Sequence, residues 1–189
     1  MNKQKVERFD MKAHRALKNY NSSVVWRRLV WSVLVQPLLR TLIPRHLYSV
    51  RNAVFRLFGA KIGEGVRIYS TVEVFYPWNL QIDDSVTIGW GVRLYTLAKV
   101  HIGEGSLISQ GVHICAGTHD YSKASRPLVL EPISIGKRCW IAADAFVGPG
   151  IQVGDDSIVG ARSVVVKRVD PLAVVAGNPA RPIRDLKIE

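Results

Sequence analysis

Histidine is the side chain best suited to acid–base chemistry near neutral pH. One histidine of this sequence lies where a six-residue repeat of aliphatic residues is interrupted. His119 lies in the segment GTHD, near the start of a polar stretch from residue 117 to residue 134. A neutral imidazole can accept a proton from a hydroxyl group, and Asp120 or a backbone carbonyl would fix its tautomer. We therefore predict that His119 is a general base with Asp120 as its candidate partner. The alternative is an ordinary loop histidine.

The other histidines and the cysteines have simpler interpretations. The histidines that we expect at the protein surface are His14, His46, His101 and His113. Cys139 occupies a position that holds small residues elsewhere in the chain, so we expect it to be buried. Cys115 lies close to His119. It either fills space at the end of a strand or acts as a nucleophile activated by the histidine.

The regular pattern is a repeat of six residues that runs from Ile62 to Val165. A period of six is typical of a parallel β-helix, in which three hexapeptides close one triangular coil and the aliphatic residue of each points inward. The phase slips by two residues twice, which makes the first coils 20 residues long and predicts bulges at YPWNLQ and TLAKVH. The repeating aliphatic positions are Ile62, Ile68, Val74, Leu80, Ile82, Ile88, Leu94, Val100, Ile102, Ile108, Ile114, Ile135, Ile141, Val147, Val153, Val159 and Val165.

This repeat divides the chain into three parts. We predict a basic, amphipathic α-helical extension over residues 1–60 and a β-helix over residues 61–170, with residues 117–134 as an excursion from the coil. Residues 171–189 form an irregular tail. The ends of a solenoid need covers, and the extension and the tail are in the right places to supply them.

All of the net charge of the protein belongs to the extension. Residues 1–61 carry 13 Lys and Arg against 2 Asp and Glu, a net charge of +11, whereas residues 62–189 carry 13 of each. No nucleic-acid-binding motif accompanies this charge. The apolar stretch 24–43 is interrupted too often to span a bilayer, which needs about 20 apolar residues.

The extension is predicted to contain amphipathic helices broken near Pro37 or Pro44, followed by a helix from Leu47 to Phe58 that ends at Gly59. Their apolar faces either pack on the main domain or a neighbouring subunit, or contact a membrane. In the second case residues 1–58 would attach peripherally through Trp26, Trp31 and the arginines.

Three motifs of the C-terminal half occur in a distinctive order. These are GTHD, then PISIGKRCWIAADAFVGPGIQVGDDSIVGARSVVVKRV, then GNPARPIR, within about residues 110–187. In this order they resemble the hexapeptide acyltransferases of the maltose and galactoside O-acetyltransferase group. The segments LFGAKIG (57–63), YPW (76–78) and LYTL (94–97) extend the similarity to acetyltransferases of colanic-acid and related exopolysaccharide clusters. The resemblance implies an all-β, left-handed β-helix, a homotrimer with active sites between subunits, and acetyl-CoA as co-substrate.

The resemblance also implies roles for individual residues, beginning with His119 as the catalytic base. Positions that match contacts to CoA or its thioester are Trp140, Ala143, Ala161, Val166, Lys167, Arg181 and Arg184. The acceptor-binding Asn and Asp positions of the galactoside enzymes fall near Gly89 and Thr96, so the acceptor should differ. The local candidates for acceptor binding are Trp78, Trp90, Arg93 and Tyr95.

The expected function is an acetyl-CoA-dependent O-acetyltransferase that acts on a saccharide hydroxyl in exopolysaccharide or surface-glycan synthesis, by direct transfer in a ternary complex. The acceptor would be a saccharide, a nucleotide sugar or a lipid-linked sugar, and the protein would be cytoplasmic or at the inner face of the membrane. Alternatives are N-acetylation of an amino-sugar nucleotide, O-acetylation of serine, and a non-enzymatic scaffold. A metal site like that of γ-class carbonic anhydrases is disfavoured, because His113 and His119 should diverge.

Overall fold

The structure, a computed structural model, describes residues 22–187. His14 and the predicted extension before residue 22 lie outside the described residues. The strands, numbered in chain order, are β1 (Lys61–Ile62), β2 (Arg67–Ile68), β3 (Glu73–Val74), β4 (Leu80–Ile82), β5 (Thr87–Ile88), β6 (Arg93–Tyr95), β7 (Val100–Ile102), β8 (Leu107–Ile108), β9 (His113–Cys115), β10 (Gly117–His119), β11 (Leu128–Leu130), β12 (Ile133–Ile135), β13 (Trp140–Ile141), β14 (Phe146–Val147), β15 (Gln152–Val153), β16 (Ile158–Val159), β17 (Val164–Val165), β18 (Ala173–Gly177) and β19 (Ala180–Asp185).

The predicted coil is confirmed by three parallel sheets that share one core. Sheet 1 has the order β1-β4-β7-β12-β15, sheet 2 begins β2-β5-β8-β13-β16, and sheet 3 has the order β3-β6-β9-β14-β17. The strand register pairs Ile62 with Ile82 and Ile82 with Ile102, as coils of 20 residues require. The aliphatic side chains of this ladder are buried and form a continuous apolar column.

Both slips of the repeat produce bulges at the corner between sheets 3 and 1. The first contains a 3₁₀ turn, Pro77–Asn79. The amide group of Asn79 donates hydrogen bonds of 3.0 and 2.9 Å to the carbonyl oxygens of Thr96 and Leu97, in the second bulge. Adjacent coils approach so closely elsewhere that a Cβ atom on Gly103 would lie 2.6 Å from the carbonyl of Gly136.

The helices precede the coil. Helix α1 (Ser22–Leu29), a π-helical segment (Val30–Val35) and helix α2 (Gln36–Thr41) form one continuous element, here called the N-terminal rod (residues 22–41). The predicted break falls at Pro44 and not at Pro37. Pro37 lies in the first turn of α2 beside the widened π-helical turns, where a proline needs no amide hydrogen. Helix α3 (Tyr48–Leu57) matches the predicted helix, and Gly59 follows it with φ of 93°.

The helices close the first coil with side-chain hydrogen bonds to its edge strands. An open sheet edge presents unpaired carbonyl groups, which are costly to leave unsatisfied. The indole nitrogen of Trp31 donates to the carbonyl of Val74 at 2.7 Å, and Arg51 donates to that of Ile68 at 2.8 Å. Trp31 is fully buried, so the packing alternative holds for this residue and the alternative of membrane contact through Trp31 is wrong; its side chain covers the edge of sheet 3.

The other end of the coil is covered by strands. The tail predicted as irregular contains β18 and β19, which form an antiparallel pair, and β18 also pairs with β16 to extend sheet 2. Its prolines do not prevent this, because Pro182 lies in the outer strand, where a missing amide hydrogen is tolerated. None of the helices within residues 22–187 has the length and apolarity needed to cross a bilayer.

Candidate active site

The excursion from the coil is a β-hairpin that leaves at the corner between sheets 3 and 1. Strands β10 and β11 pair in antiparallel register, with Thr118 opposite Val129 and His119 opposite Leu128. At the tip, the amide of Asp120 donates to the carbonyl of Pro127 at 3.0 Å. His119 is therefore the last residue of an ordered strand, next to the tip of the hairpin.

The His119 ring is oriented by a backbone carbonyl. Its Nδ1 atom lies 2.7 Å from the carbonyl oxygen of Arg126. A carbonyl oxygen can only accept a hydrogen bond, so Nδ1 carries the proton and Nε2 is the basic nitrogen. Arg126 reaches this position through a tight turn in which its φ is 43°. The arrangement gives His119 the tautomer that a general base requires.

Asp120 organises the hairpin tip. Its carboxylate accepts hydrogen bonds from the amide of Ser122 at 3.0 Å and the hydroxyl of Ser122 at 2.5 Å, and it lies 3.4 Å from the ammonium group of Lys123. These hydrogen bonds from Ser122, together with Lys123, lower the pKa of Asp120. Of the two orienting groups considered for His119, the described hydrogen bond corresponds to the backbone carbonyl.

Trp140 lies on a different side of the coil from the hairpin. It belongs to sheet 2, its side chain is 46% exposed, and its indole nitrogen donates to the hydroxyl of Ser109 at 2.9 Å. An exposed, fixed indole ring offers a flat apolar surface with one polar edge already satisfied. Within one chain, Trp140 and His119 therefore face different sides of the triangular coil.

Ala143 and Ala161 lie one above the other at the corner between sheets 2 and 3. The carbonyl of Ala143 accepts a hydrogen bond of 2.8 Å from the amide of Arg162. Within residues 22–187, the amide N–H of Ala143 has no described hydrogen-bond acceptor. Trp90 occupies the same corner further down the coil and is 59% exposed. This corner therefore presents the Ala143 amide as a hydrogen-bond donor beside small side chains, with the ring of Trp90 two coils away.

Basic side chains meet at the far end of the coil. Lys167, Arg168 and Arg181 line one cleft of about 290 Å³. Asp170 also lines it and lies 3.7 Å from Arg168, so the cationic side chains outnumber the carboxylate. Val166 precedes Lys167 and is 52% exposed. A cleft with several cationic side chains is suited to phosphate groups. The structure therefore brings Lys167 and Arg181 together, as a shared role requires.

Arg184 does not line this cleft. It lies further along β19, where its backbone is opposite Val174, and its side chain is exposed. Of the basic residues predicted to meet the nucleotide phosphates, Lys167 and Arg181 share the cleft, whereas Arg184 stands apart from it.

The acceptor candidates separate into different places. Arg93 and Tyr95 share a groove of about 310 Å³ on sheet 3, between the coil and the N-terminal rod. Trp78 lies at the corner between sheets 3 and 1, stacked on Tyr76 with ring centroids 4.8 Å apart and contacted by the guanidinium of Arg27. Trp90 lies at the opposite edge of sheet 3. Only Arg93 and Tyr95 are therefore brought together.

Besides Arg93 and Tyr95, the groove contains Glu73, Phe75 and His113, which the sequence analysis did not select as acceptor candidates. Glu73, Arg93 and His113 stand side by side on sheet 3, because the strand register pairs each with the next. Phe75 packs against Tyr95 with ring centroids 4.7 Å apart. Burial, and then the positive charge of Arg93, lower the pKa of His113 and so favour its neutral form. The spacing of 20 residues was a signal that could have revealed this row.

The two cysteines are unpaired and lie in different parts of the coil. Cys139 is buried, as predicted, and burial raises the pKa of its thiol. Cys115 is half-buried at the base of the hairpin, with its sulfur 3.3 Å from the carbonyl of Gly117. Within residues 22–187, no group of three or more His, Cys, Asp or Glu side chains is arranged to hold a metal ion.

Comparisons with known proteins agree with this architecture. A family model described as bacterial transferase hexapeptide (six repeats) matches residues 132–167. The chain is 43% identical over 158 residues to WcaF of Escherichia coli (strain K12), named as a colanic acid biosynthesis acetyltransferase, with 84% of this chain and 86% of that protein covered. It is 29% identical over 139 residues to the galactoside O-acetyltransferase of the same strain, with 72% and 68% covered.

One solved structure matches over almost the whole fold. It is a hexapeptide-repeat-containing acetyltransferase from Vibrio cholerae O1 biovar eltor, complexed with acetyl-CoA. The TM-score is 0.82 at 23% sequence identity, and the match covers 90% of this chain and 93% of that chain. At this identity the likeness shows the fold, a left-handed β-helix with a helical segment before it.

Proposed function

The chain belongs to the hexapeptide-repeat acetyltransferases, and from that premise we propose that it transfers an acetyl group from acetyl-CoA to a saccharide hydroxyl. The observation that carries the proposal is the hydrogen bond of 2.7 Å between His119 Nδ1 and the Arg126 carbonyl, which leaves Nε2 as the proton acceptor. The 43% identity to a protein named for colanic acid biosynthesis supports an acceptor from exopolysaccharide or surface-glycan synthesis.

The mechanism is a direct transfer within a ternary complex. Acetyl-CoA supplies the acetyl group as an activated thioester. Nε2 of His119 takes the hydroxyl proton while the acceptor oxygen forms its bond to the acetyl carbon. As the carbon–sulfur bond breaks, His119 returns that proton to the departing sulfur. The amide N–H of Ala143, which has no described acceptor within residues 22–187, donates to the carbonyl oxygen on which charge develops.

The complete site requires a second subunit. His119 projects from the corner between sheets 3 and 1, whereas Trp140 stands on sheet 2 of the same chain. A single coil cannot turn both toward one substrate, because the coil is a rigid prism. In a homotrimer, the hairpin of one subunit would face the corner between sheets 2 and 3 of its neighbour, where Ala143 and Ala161 lie. The active sites would then lie in the clefts between subunits.

A transfer assay tests the proposal directly. The purified protein is incubated with radiolabelled acetyl-CoA and a panel of glycans, nucleotide sugars, an amino-sugar nucleotide and serine, and the products are identified by mass spectrometry. We expect an acetyl ester on a saccharide. An amide on the amino sugar would replace the proposal with N-acetylation, and an ester on serine would replace it with serine acetylation. Failure to bind CoA in calorimetry would favour a scaffold.

The basic cleft should bind the phosphates of CoA. Replacing Lys167 and Arg181 together with alanine is expected to weaken CoA binding by about 10–100-fold, because each removes a charge-assisted hydrogen bond. Calorimetry with CoA measures this loss. The control is Lys61→Ala with Arg67→Ala, which removes the same charge at the opposite end of the coil. Equal affinities for the two double variants would place the phosphates elsewhere.

The groove on sheet 3 is proposed as the acceptor site. It combines the rings of Phe75 and Tyr95, which suit the faces of sugars, with the charges of Glu73 and Arg93. Glu73 already pairs with Arg40 at 2.8 Å. Within residues 22–187, Arg93 forms no salt bridge with an acidic side chain, so its guanidinium is available to an acceptor oxygen.

Replacing Arg93 with alanine should therefore raise the KM for the acceptor by about 10-fold, while the KM for acetyl-CoA changes little. Steady-state kinetics with each substrate varied in turn separate the two constants. Arg67→Ala, at the equivalent outward position on sheet 2, is the matched control. A change confined to the KM for acetyl-CoA would contradict the assignment of this groove.

We place the reaction on the cytoplasmic side of the membrane, where acetyl-CoA is made. The free thiols of Cys115 and Cys139 support this placement, because unpaired cysteines suit a reducing compartment.

A further inference from the structure

The N-terminal rod is apolar on two opposite sides. One side carries Trp31 and Leu39, which are buried against the rest of the protein, and Val35, which is partly buried there. The opposite side carries exposed apolar side chains, and we call it the outer face of the rod. Its members are Val25, Trp26, Leu29, Val30, Val33, Leu34, Leu38 and, just beyond α2, Leu42, each between 37% and 70% exposed. A helix that is apolar all round is normally covered on every side.

The sequence around the rod carries charge of one sign, although several of its arginines contact the coil. Arg51 is buried, Arg40 pairs with Glu73, and Arg27 and Arg28 lie over the rings of Trp78 and Phe75. Residues 22–63 contain 7 Lys and Arg and no Asp or Glu; the first acidic residue after the rod is Glu64. The 21 residues that precede the rod add 6 Lys and Arg against 2 Asp and Glu. An apolar face in a segment that carries only positive charge matches an anionic lipid surface, which accepts apolar side chains and attracts cations.

A second copy of this chain complements the face less well. The same face on another copy would bring positive segments together. The rest of the chain, residues 62–189, has 13 basic and 13 acidic residues and offers no net negative field. Since no helix within residues 22–187 can cross a bilayer, the rod would lie along the surface. Trp26, which is 66% exposed, is the residue type enriched at the boundary between lipid and water.

We propose that the outer face of the rod binds an anionic membrane surface, with Trp26 and the leucines at the level of the lipid headgroups. The net positive charge of the N-terminal segment would attract the lipid phosphates. This inference rests on the rod alone and does not depend on the acetyl-transfer reaction. It gives the two sides of the rod different tasks: the inner side closes the coil, and the outer side attaches the protein to lipid.

Vesicle sedimentation tests the proposal with the full-length protein. Vesicles of phosphatidylglycerol and phosphatidylcholine are compared with vesicles of phosphatidylcholine alone. We expect the protein to sediment with the anionic vesicles and to bind neutral ones at least about 10-fold more weakly, since an anionic surface attracts basic residues and a neutral surface does not. Raising the salt concentration should weaken binding to the anionic vesicles.

A charged variant identifies the surface that binds. Trp26→Glu with Leu34→Glu should weaken binding to anionic vesicles by at least about 10-fold, because both changes put a carboxylate where an apolar side chain meets lipid. The control, Leu172→Glu with Ile183→Glu, makes the same change at exposed positions at the far end of the coil and should bind like the unmodified protein.

Three outcomes would overturn the proposal. The first is equal binding of the Trp26/Leu34 variant and its control. The second is equal binding of the unmodified protein to neutral and anionic vesicles. The third is a smaller assembly of the Trp26/Leu34 variant in light scattering, which would make the outer face a contact between copies. Thermal melting of both variants verifies that they fold, and the acetyl-transfer rate toward a soluble acceptor is an independent readout.

Discussion

Replacing His119 with alanine should lower kcat for acetyl transfer by about 10²–10⁴-fold, the contribution of a positioned general base. The variant removes the one imidazole that the hairpin holds at its tip, with Nδ1 bonded to the Arg126 carbonyl at 2.7 Å. The affinity for CoA should change little, because the basic cleft lies at the far end of the coil. Single-turnover kinetics and calorimetry on the same preparation measure the two quantities.

A second substitution separates the role of His119 as a general base from its hydrogen bond within the hairpin. In His119→Asn, the side-chain amide can still donate a hydrogen bond to the Arg126 carbonyl, but it cannot accept a proton near pH 7. We expect this variant to be as inactive as His119→Ala while its melting temperature stays closer to that of the unmodified protein. His101→Gln, on sheet 1, is the control histidine variant. Substantial activity in His119→Asn would show that the ring only supports the hairpin.

The coil could be predicted because the same six-residue pattern recurs along the sequence. Each buried aliphatic residue from Ile62 onward packs against equivalent residues one coil away, so the pairing of Ile62 with Ile82 follows from the length of one coil. Glu73, Arg93 and His113 obey the same count, so this row of the proposed acceptor groove could have been derived from the sequence. The candidates named from the sequence include Arg93 of this row but not Glu73 or His113.

The orientation of His119 could not be derived in this way. Its hydrogen-bond partner is a backbone carbonyl seven positions away, and that carbonyl points at the ring because Arg126 adopts a positive φ of 43°. Non-glycine residues visit that region only where the surrounding structure stabilises it, so the residue type gives no signal. The neighbouring Asp120 was the obvious candidate by sequence, yet its described contacts are with Ser122 and Lys123.

The tryptophans of the rod show the same limit on a larger scale. Trp26 and Trp31 both belong to an apolar stretch, and the membrane-contact alternative names both. In the structure Trp26 is 66% exposed and Trp31 is fully buried. The π-helical turns of Val30–Val35 contribute, because they change the angle between successive side chains that an α-helical count assumes. Where a helix departs from its regular period, the sequence pattern no longer determines which side chain is buried.

Removal of the buried indole should be the most damaging change to the cap. Trp31 packs on Phe55 and Phe58 with ring centroids 5.2 and 5.1 Å away, and its nitrogen satisfies the carbonyl of Val74. Trp31→Ala would open a cavity and leave that carbonyl unpaired, which together should lower the free energy of unfolding by about 3–5 kcal/mol. Trp26→Ala, the matched exposed position, should change it by no more than about 0.5 kcal/mol. Denaturant unfolding of both variants measures the difference.

The same substitution also tests a connection between the cap and the proposed acceptor site. Ser32 and Gln36 of the rod line the groove that contains Arg93, and Gln36 accepts a hydrogen bond of 2.8 Å from the amide of Val74. Displacing the rod should therefore raise the KM for the acceptor, whereas the cleft of Lys167 and Arg181, at the last coil, should still bind CoA. Trp31→Ala measured at a temperature where it remains folded distinguishes these effects. Parallel losses of both affinities would mean that the coil itself, and not only its cap, depends on the rod.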